Sequence, residues 1–151
     1  NVAESLALKT VQLLNSPGIF AVELFLDADN QVSVNEIAPR VHNSGHHTIE
    51  GNFCSQFHML WRIILKYPLG NPKTIMPSLL INIIGAEGYT GNALYEGIKD
   101  VLKLENTYVH IYGKNETKPG RKMGHINILD HNKTSLIDKA DVVKKHIIVK
   151  S

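Results

Sequence analysis

Glu23 and Glu36 are the first side chains whose type and spacing indicate chemistry. Each lies in a run of strand-forming residues, 19–26 and 31–37, and a polar tetrapeptide separates the runs as in a β-hairpin. Two carboxylates held side by side repel each other unless a cation lies between them. Mg²⁺ prefers such oxygen ligands, and Asn35 adds another oxygen. The spacing therefore predicts a divalent-metal site, with a pair of solvent-facing glutamates as the alternative.

A histidine-rich segment, residues 40–51, follows the second run without any helical or strand period. The guanidinium of Arg40 can bind a carboxylate, a phosphate or bicarbonate through two parallel hydrogen bonds. His42, His46 and His47 can act as acids, bases or hydrogen-bond donors near neutral pH. We predict a loop that presents chemistry. A zinc site and a solvated surface loop are the alternatives, although the spacing is not that of a helical zinc motif.

A third candidate is the glycine-rich basic segment 112–125. Glycine lets the backbone approach an anion closely, and lysine and arginine supply charge and directed donors. The segment is therefore suited to a sugar phosphate or a nucleotide phosphate, with a solvated basic hairpin turn as the alternative. Its cationic side chains are Lys114, Lys118, Arg121 and Lys122.

Periodicity and turn residues predict the elements that must position these side chains. An α+β fold results, with a seam between two subdomains near residues 68–77. The predicted helices are 3–14, 55–67, 92–102 and 135–145, the strands are 19–26, 31–37, 78–84, 107–112, 123–129 and 147–149, and the main loops are 40–51 and 113–120.

Composition narrows the functional class. The 151 residues carry 16 basic and 14 acidic side chains, a net charge of +2 that is too balanced to predict nucleic-acid binding. The single cysteine, Cys54, excludes an internal disulfide and suits a reducing cytoplasm. It can be a nucleophile or a packing residue, and its place at the start of an apolar helix favours packing. No apolar run approaches the ~20 residues needed to span a bilayer, so no membrane partner is expected.

These motifs together resemble the 5-(carboxyamino)imidazole ribonucleotide synthase family of ATP-grasp enzymes. The resemblance covers residues 18–125. Its most specific part is the pair of strings Asn35-Glu-Ile-Ala-Pro-Arg40 and His42-Asn-Ser-Gly-His46, since other ATP-grasp enzymes share the two-carboxylate hairpin but not this loop. The remaining matching strings are Glu23-Leu-Phe-Leu26, Ser55-Gln-Phe57, Pro68-Leu-Gly70, Tyr112-Gly-Lys114 and Pro119-Gly-Arg-Lys-Met-Gly-His125.

The resemblance implies ATP-dependent carboxylation of aminoimidazole ribonucleotide by bicarbonate, through carboxyphosphate, in purine biosynthesis. It implies that Glu23 and Glu36 hold Mg²⁺, or Mn²⁺ in its place, on the ATP phosphates, and that Asn35 lies beside the nucleotide. Arg40, His42 and Asn43 would surround bicarbonate or carboxyphosphate. Lys114, Arg121 and Lys122 would bind the ribonucleotide phosphate.

The resemblance also implies an organisation. Residues 1–76 would be the C-terminal part of an ATP-grasp domain, and residues 77–151 a small barrel-like β subdomain. The family is commonly homodimeric and cytoplasmic. It also has a nucleotide-fold domain, a lid and an adenine-gripping hinge that do not precede Asn1, so we expect the chain alone to be inactive. Ala38 matches the family's own motif, whereas many ATP-grasp relatives carry a metal-binding Asn there, and Val41 replaces a common Pro.

Two other functions remain as alternatives. The first is another purine-pathway ATP-grasp ligase, such as a formate-using enzyme, although the string His42-Asn-Ser-Gly-His46 argues against it. The second is a non-catalytic binding module derived from an ATP-grasp fold, although the intact Glu23, Glu36 and Arg40 argue against decay. A test of whether ATP cleavage depends on bicarbonate or on formate distinguishes the first alternative from the carboxylating enzyme. Failure of the full-length protein to bind Mg-ATP would favour the second alternative.

Overall fold

The computed structural model describes all residues, 1–151. They form two compact units, Asn1–Ile49 with Phe53–Lys73, and Glu50–Asn52 with Thr74–Ser151. In chain order the elements are α1 (Val2–Gln12), β1 (Ala21–Leu26), β2 (Val32–Ala38), a 3-10 helix (Asn43–His47), α2 (Thr48–Gly51), α3 (Gln56–Ile64), β3 (Ser78–Ile84), β4 (Gly91–Asn92), β5 (Leu94–Glu96), α4 (Ile98–Val101), β6 (Thr107–Ile111), β7 (Glu116–Thr117), β8 (Lys122–Leu129), α5 (Lys133–His146) and β9 (Ile148–Lys150).

In the first unit, β1 and β2 form the predicted antiparallel hairpin, and α1 packs against β2. Asn1 caps α1 by accepting a hydrogen bond from the Glu4 amide at 2.9 Å. The hairpin turn is held by Asp27, whose carboxylate accepts from the amides of Asp29 and Gln31 at 3.0 and 2.7 Å. Such Asx turns stabilise the reversal that brings the two strands into register.

The loop predicted for residues 40–51 is wrong in part, because most of it is helical. A 3-10 helix, Asn43–His47, leads into α2. The turns are closed by side chains: the His47 Nδ1 nitrogen bonds the Ser44 carbonyl at 2.7 Å, and the Thr48 hydroxyl donates to the Gly45 carbonyl at 2.6 Å. Bonds of this kind leave no apolar period in the sequence, so pattern reading could not detect the helices.

In the second unit, the central sheet has the order β3-β8-β6 and is antiparallel throughout. One face packs on α5 and is apolar, with Ile83, Ile126 and Ile128 among its fully buried residues. The opposite face of β8 carries His125 and Asn127, which are also buried. The apolar cluster of this unit is completed by Val101, Met123, Leu136, Ala140, Val143 and Val149.

The helix predicted over residues 92–102 is mostly wrong. The segment begins with β4, which pairs with β7, and with β5, which pairs with β9. Helix α4 occupies only Ile98–Val101 and starts after Gly97, which has a φ of +80°. A side chain at Gly97 would collide with the His146 carbonyl, so strand pairing with the chain terminus, a distant interaction, determines the local structure here.

The predicted α+β class is confirmed, with antiparallel sheets in both units. In the second unit the strand pairings trace three small sheets, and backbone hydrogen bonds join them, such as Ala86 N–H to the Val149 carbonyl at 2.8 Å. The boundary predicted between residues 76 and 77 stays a prediction beside the division at Lys73 and Thr74 seen here. None of the helices combines the length and the apolar character that crossing a membrane requires.

Candidate functional site

The hairpin of the first unit places Glu23 directly opposite Glu36 as cross-strand partners. The register then skips Asn35, because Leu24 pairs with Val34, and this extra residue is a β-bulge. The bulge lets both Asn35 and Glu36 face Glu23, whereas strict alternation would turn them to opposite sides. The Asn35 amide nitrogen lies 3.4 Å from Glu23 Oε2.

His42 joins the two carboxylates. One ligand atom from each of Glu23, Glu36 and His42 lies within 4.8 Å of the others. The Nε2 nitrogen of His42 is 3.4 Å from Glu23 Oε1, and the His42 side chain is 19% exposed against 45% for Glu23. Two carboxylates of like charge at this separation attract a cation. A hard divalent ion with open positions for water and phosphate fits the oxygen donors of this hairpin.

The hydrogen bonds of His42 define the proton position on its ring. The Ser44 amide N–H donates to His42 Nδ1 at 3.4 Å, and the Ser44 hydroxyl lies 2.9 Å from the same nitrogen. A backbone N–H can only donate, so Nδ1 accepts and the neutral ring carries its proton on Nε2. His42 therefore presents an N–H group toward Glu23. This N–H group makes His42 a hydrogen-bond donor beside the carboxylates.

Gln56, the first residue of α3, holds the backbone of His42 on both sides. Its Oε1 accepts from the His42 amide at 2.9 Å, and its Nε2 donates to the His42 carbonyl at 2.9 Å. The same Nε2 lies 2.8 Å from His46 Nδ1. Ser55 caps α3 by accepting from the His58 amide at 3.2 Å, which orients the helix start that carries Gln56. The position of His42 is thus set by a helix rather than by a free loop.

The other histidines of the loop turn to different partners. His46 stacks on Phe57 with ring centroids 5.5 Å apart, and His47 Nδ1 bonds the Ser44 carbonyl. The three histidines therefore do not form a common ligand set, and the group that could hold a metal contains His42 with the two glutamates.

Arg40 and Asn43 lie on the segment around His42 but outside the cluster. The Arg40 guanidinium is exposed and donates to the Val41 carbonyl at 3.1 Å. Asn43 is half-buried at the start of the 3-10 helix. The structure thus brings together Glu23, Asn35, Glu36 and His42. Arg40 and Asn43 are close to His42 in the sequence but are not part of this cluster.

The basic segment lies in the second unit. Lys114 Nζ donates to the Lys122 carbonyl at 2.6 Å, and Arg121 Nη1 donates to the Glu116 carbonyl at 3.0 Å. Lys122 is exposed. The segment reverses at Gly120, which has a φ of +72°, a conformation that glycine adopts without strain. Two of the three predicted phosphate-binding side chains, Lys114 and Arg121, are therefore already ordered by backbone carbonyls.

Sequence reasoning missed Gln56 and Ser44 as members of the site. The apolar pattern of residues 55–67 predicted a helix that packs through its apolar face, and this pattern gave no reason to assign a role to Gln56. A signal was present, since Ser55 is a typical N-cap and a glutamine just after it has its side chain near the preceding loop. Ser44 carries no such signal, because its bonds to His42 depend on the 3-10 turn.

Two family models match successive parts of the chain. Residues 1–57 match the ATP-grasp domain, and residues 78–139 match the C-terminal domain of phosphoribosylaminoimidazole carboxylase. The unit that carries the hairpin with paired carboxylates therefore belongs to an ATP-grasp domain, and the small antiparallel β unit follows it.

Named relatives make the family specific. The N5-carboxyaminoimidazole ribonucleotide synthase of Aquifex aeolicus is 41% identical over 143 residues, which are 93% of this chain and 37% of the relative. The crystal structure of N5-carboxyaminoimidazole ribonucleotide synthetase from Thermotoga maritima matches with a TM-score of 0.93 and 41% identity, over 99% of this chain and 42% of that one. The chain belongs to the family of N5-carboxyaminoimidazole ribonucleotide synthases. It spans roughly two fifths of the length of these two relatives.

A third similar structure carries ligands. N5-carboxyaminoimidazole synthase from Aspergillus clavatus, in complex with ADP and 5-aminoimidazole ribonucleotide, has a TM-score of 0.80 and is 37% identical, over 94% of this chain and 39% of that one.

Proposed function

We propose that this chain supplies the metal-binding hairpin and the ribonucleotide phosphate loop of an enzyme that carboxylates 5-aminoimidazole ribonucleotide. The reaction consumes ATP and bicarbonate and belongs to de novo purine biosynthesis. The observation that carries the proposal is the cluster of Glu23, Glu36 and His42, with ligand atoms within 4.8 Å of one another. Similarity supplies the substrates, since relatives that match 93% and 99% of this chain are named as synthases of this product.

In this proposal, Glu23 and Glu36 hold Mg²⁺, or Mn²⁺ in its place, with Asn35 beside the nucleotide. The ion, when bound, neutralises charge on the ATP phosphates during phosphoryl transfer. The two carboxylates are cross-strand partners on one face of the hairpin and would hold the ion there. Ala38 offers no further ligand, so water would complete the coordination of a bound ion.

The donors around His42 receive the small anion. His42 Nε2–H, the Arg40 guanidinium and the Asn43 amide would bind bicarbonate and then carboxyphosphate. A bicarbonate oxygen forms a bond to the γ-phosphorus while the bond to ADP breaks, which gives carboxyphosphate. The substrate amine then forms its bond to the carboxyl carbon, or to the carbon dioxide released, with loss of phosphate and a proton. Fixed donors stabilise the negative charge in both steps.

In the second unit, Lys114, Arg121 and Lys122 would bind the phosphate of the ribonucleotide. Lys114 and Arg121 are already held by backbone carbonyls, which lowers the ordering cost of binding. We also propose that the enzyme is homodimeric and cytoplasmic. The single buried cysteine suits a reducing compartment.

The test is ATP cleavage by the complete gene product with Mg²⁺. We expect cleavage that requires both aminoimidazole ribonucleotide and bicarbonate and that formate does not support. Glu23→Gln and Glu36→Gln should each lower the rate by about 100-fold or more, since a metal ligand is lost. Glu105→Gln, an exposed glutamate of the second unit, is the matched control. The 151 residues alone should show no steady phosphate release.

Two results would overturn the proposal. Formate-dependent cleavage would favour another ligase of the purine pathway. Failure of the complete gene product to bind Mg-ATP would favour a binding module without catalysis.

A further inference from the structure

The face of the central sheet turned away from α5 carries an ordered set of polar side chains. His110 on β6 is the cross-strand partner of His125 on β8, and their rings stack with centroids 4.4 Å apart and 13° between planes. Glu50 joins both strands: its Oε1 lies 2.8 Å from His110 Nε2, and its Oε2 accepts from the Asn127 amide at 2.6 Å. These side chains belong to none of the sites proposed above.

Tyr112 connects this polar set to the basic segment. Its backbone amide continues the strand pairing by donating to the Met123 carbonyl at 2.9 Å. Its hydroxyl lies 2.9 Å from Nδ1 of His125, a residue only 3% exposed. Burial raises the pKa of the Tyr112 phenol, so the hydroxyl stays neutral and can donate to the imidazole. The Tyr112 ring is thus fixed at both ends, by its backbone and by its hydroxyl.

Lys114 rests on this fixed ring. Its ammonium lies 5.7 Å from the centroid of Tyr112, within the range of a cation–π contact. The same ammonium donates to the Lys122 carbonyl at 2.6 Å. A lysine has three donors and a flexible stem, and two contacts on one side restrict where the remaining donors can point.

We propose that Tyr112, held by His125, is a positioning residue that orients the Lys114 ammonium for a phosphate monoester. Glu50 bonds His110, whose ring stacks on that of His125. Gly113, with a φ of +68°, lets the chain turn so that Lys114 lies over the Tyr112 ring. The identification of the phosphate as that of aminoimidazole ribonucleotide rests on the proposed function. The positioning role itself rests on the contacts between Tyr112, His125 and Lys114.

The experiment uses the complete gene product and the variants Tyr112→Phe and Tyr112→Leu. The first removes the hydrogen bond to His125 and keeps the ring, and the second also removes the ring under Lys114. Tyr108 lies four residues earlier, on β6, and is 41% exposed, so Tyr108→Phe and Tyr108→Leu are matched controls. Binding of inorganic phosphate and of aminoimidazole ribonucleotide is measured by calorimetry, and KM and kcat by ATP cleavage.

We expect Tyr112→Phe to weaken binding of both phosphates by about three- to tenfold, and Tyr112→Leu by about tenfold or more. KM for the ribonucleotide should rise in parallel, while KM for ATP and kcat stay within about twofold, because the lost interaction positions a binding group only. In a Lys114→Met background the Tyr112→Phe effect should vanish, since the tyrosine acts through the lysine.

Three results separate the possible failures. Unchanged phosphate binding in Tyr112→Leu, or an equal Tyr112→Phe effect with and without Lys114, overturns the positioning role. No phosphate or ribonucleotide binding by the unmodified protein overturns it as well. Phosphate binding that depends on Tyr112, in a protein without bicarbonate-dependent ATP cleavage, supports the positioning role and rejects the proposed function.

Discussion

The side-chain amide of Gln56 brackets the peptide backbone of His42, accepting from its N–H and donating to its carbonyl, each at 2.9 Å. A side-chain amide matches a peptide group in shape, so the pair of bonds fixes both position and orientation of the residue between them. Helix α3 therefore positions the His42 ring beside Glu23.

Removing this amide should loosen the site. We expect Gln56→Ala to lower the rate of ATP cleavage by about 10- to 100-fold, as for other residues that support a metal-site group. The two peptide groups of His42 lose their partner, which should cost about 1–3 kcal/mol of unfolding free energy. Activity and thermal melting of the complete gene product measure the two effects.

A graded variant and a control sharpen this prediction. Gln56→Glu keeps an acceptor for the His42 amide but loses both donated bonds, so its effect should be intermediate in the rate assay. Gln12→Ala, at an exposed position of α1, should leave both measurements unchanged. A rate for Gln56→Ala equal to that of Gln12→Ala would mean that His42 needs no support from α3.

The absence of a side chain at Gly45 also matters for this glutamine, because it leaves room for the Gln56 side-chain amide. A Cβ added to Gly45 would lie 2.5 Å from Gln56 Oε1. We expect Gly45→Ala to destabilise the first unit by about 1–3 kcal/mol through overpacking and to lower the cleavage rate.

The cause of that effect can be isolated with a double variant. The three atoms nearest to the added methyl group all belong to the Gln56 side-chain amide, so in a Gln56→Ala background Gly45→Ala should cost less. Chemical denaturation of the four proteins gives the coupling free energy. Additive effects would show that the alanine disturbs the backbone rather than Gln56.

The metal prediction can be checked without turnover. Mn²⁺ added to the complete gene product should broaden the NMR signals of Glu23, Asn35, Glu36 and His42 before all others in this part of the chain. Glu23→Gln or Glu36→Gln should weaken Mn²⁺ binding by about tenfold or more, since each removes a charged oxygen ligand. Glu105→Gln should bind as the unmodified protein does, and first broadening at His46 and His47 would point to a histidine site instead.

Asp130 makes the second unit sensitive to acid. Hydrogen bonds from Lys139 Nζ, the Asn132 amide and the Ser135 hydroxyl hold the pKa of its carboxyl well below the ordinary value of 3.8. A lowered folded-state pKa means that the stabilisation is fully present above pH 3.8 and is lost as pH falls toward the folded-state pKa.

We therefore expect Asp130→Asn to lower the melting temperature by several degrees at pH 7, and the difference to shrink below pH 3.8. Thermal melts across this range provide the measurement. Asp138→Asn, on the exposed side of α5, is the control that should show no such pH dependence. A constant difference at all pH values would assign the effect to packing instead of charge.

Local patterns predicted those elements whose formation depends on their own residues. The hairpin was predicted from two strand-forming runs around a polar turn, the strand Ser78–Ile84 from a continuous apolar run, and α5 as a polar helix. The structure has all three at nearly the predicted bounds. The helix predicted over residues 92–102 was wrong because Leu94–Glu96 pairs with Ile148–Lys150, which is too distant in the sequence to be read from local patterns.

The residues of the candidate site also fall into those that the sequence could predict and those that it could not. The residue types of Glu23, Glu36 and His42 were enough to single them out, since charged groups in apolar runs and a short histidine cluster stand out in the sequence. The support from Gln56 was not predictable, because it depends on a crossing between a helix start and a loop fourteen positions earlier. The role of Arg40 in anion binding stays a prediction, and in the structure its guanidinium donates to the Val41 carbonyl.

The unpaired residue at Asn35 has an implication for how this hairpin could be re-engineered. Val34 and Glu36 are two positions apart yet lie on opposite sides, because the strand gains half a period between them. Deleting Asn35 alone would regularise the ladder, keep Glu36 across from Glu23 and leave Ile37 on the side of Val34. Such a shortened hairpin would retain both carboxylates without the neighbouring amide, and so would separate the scaffold's contribution from that of the amide.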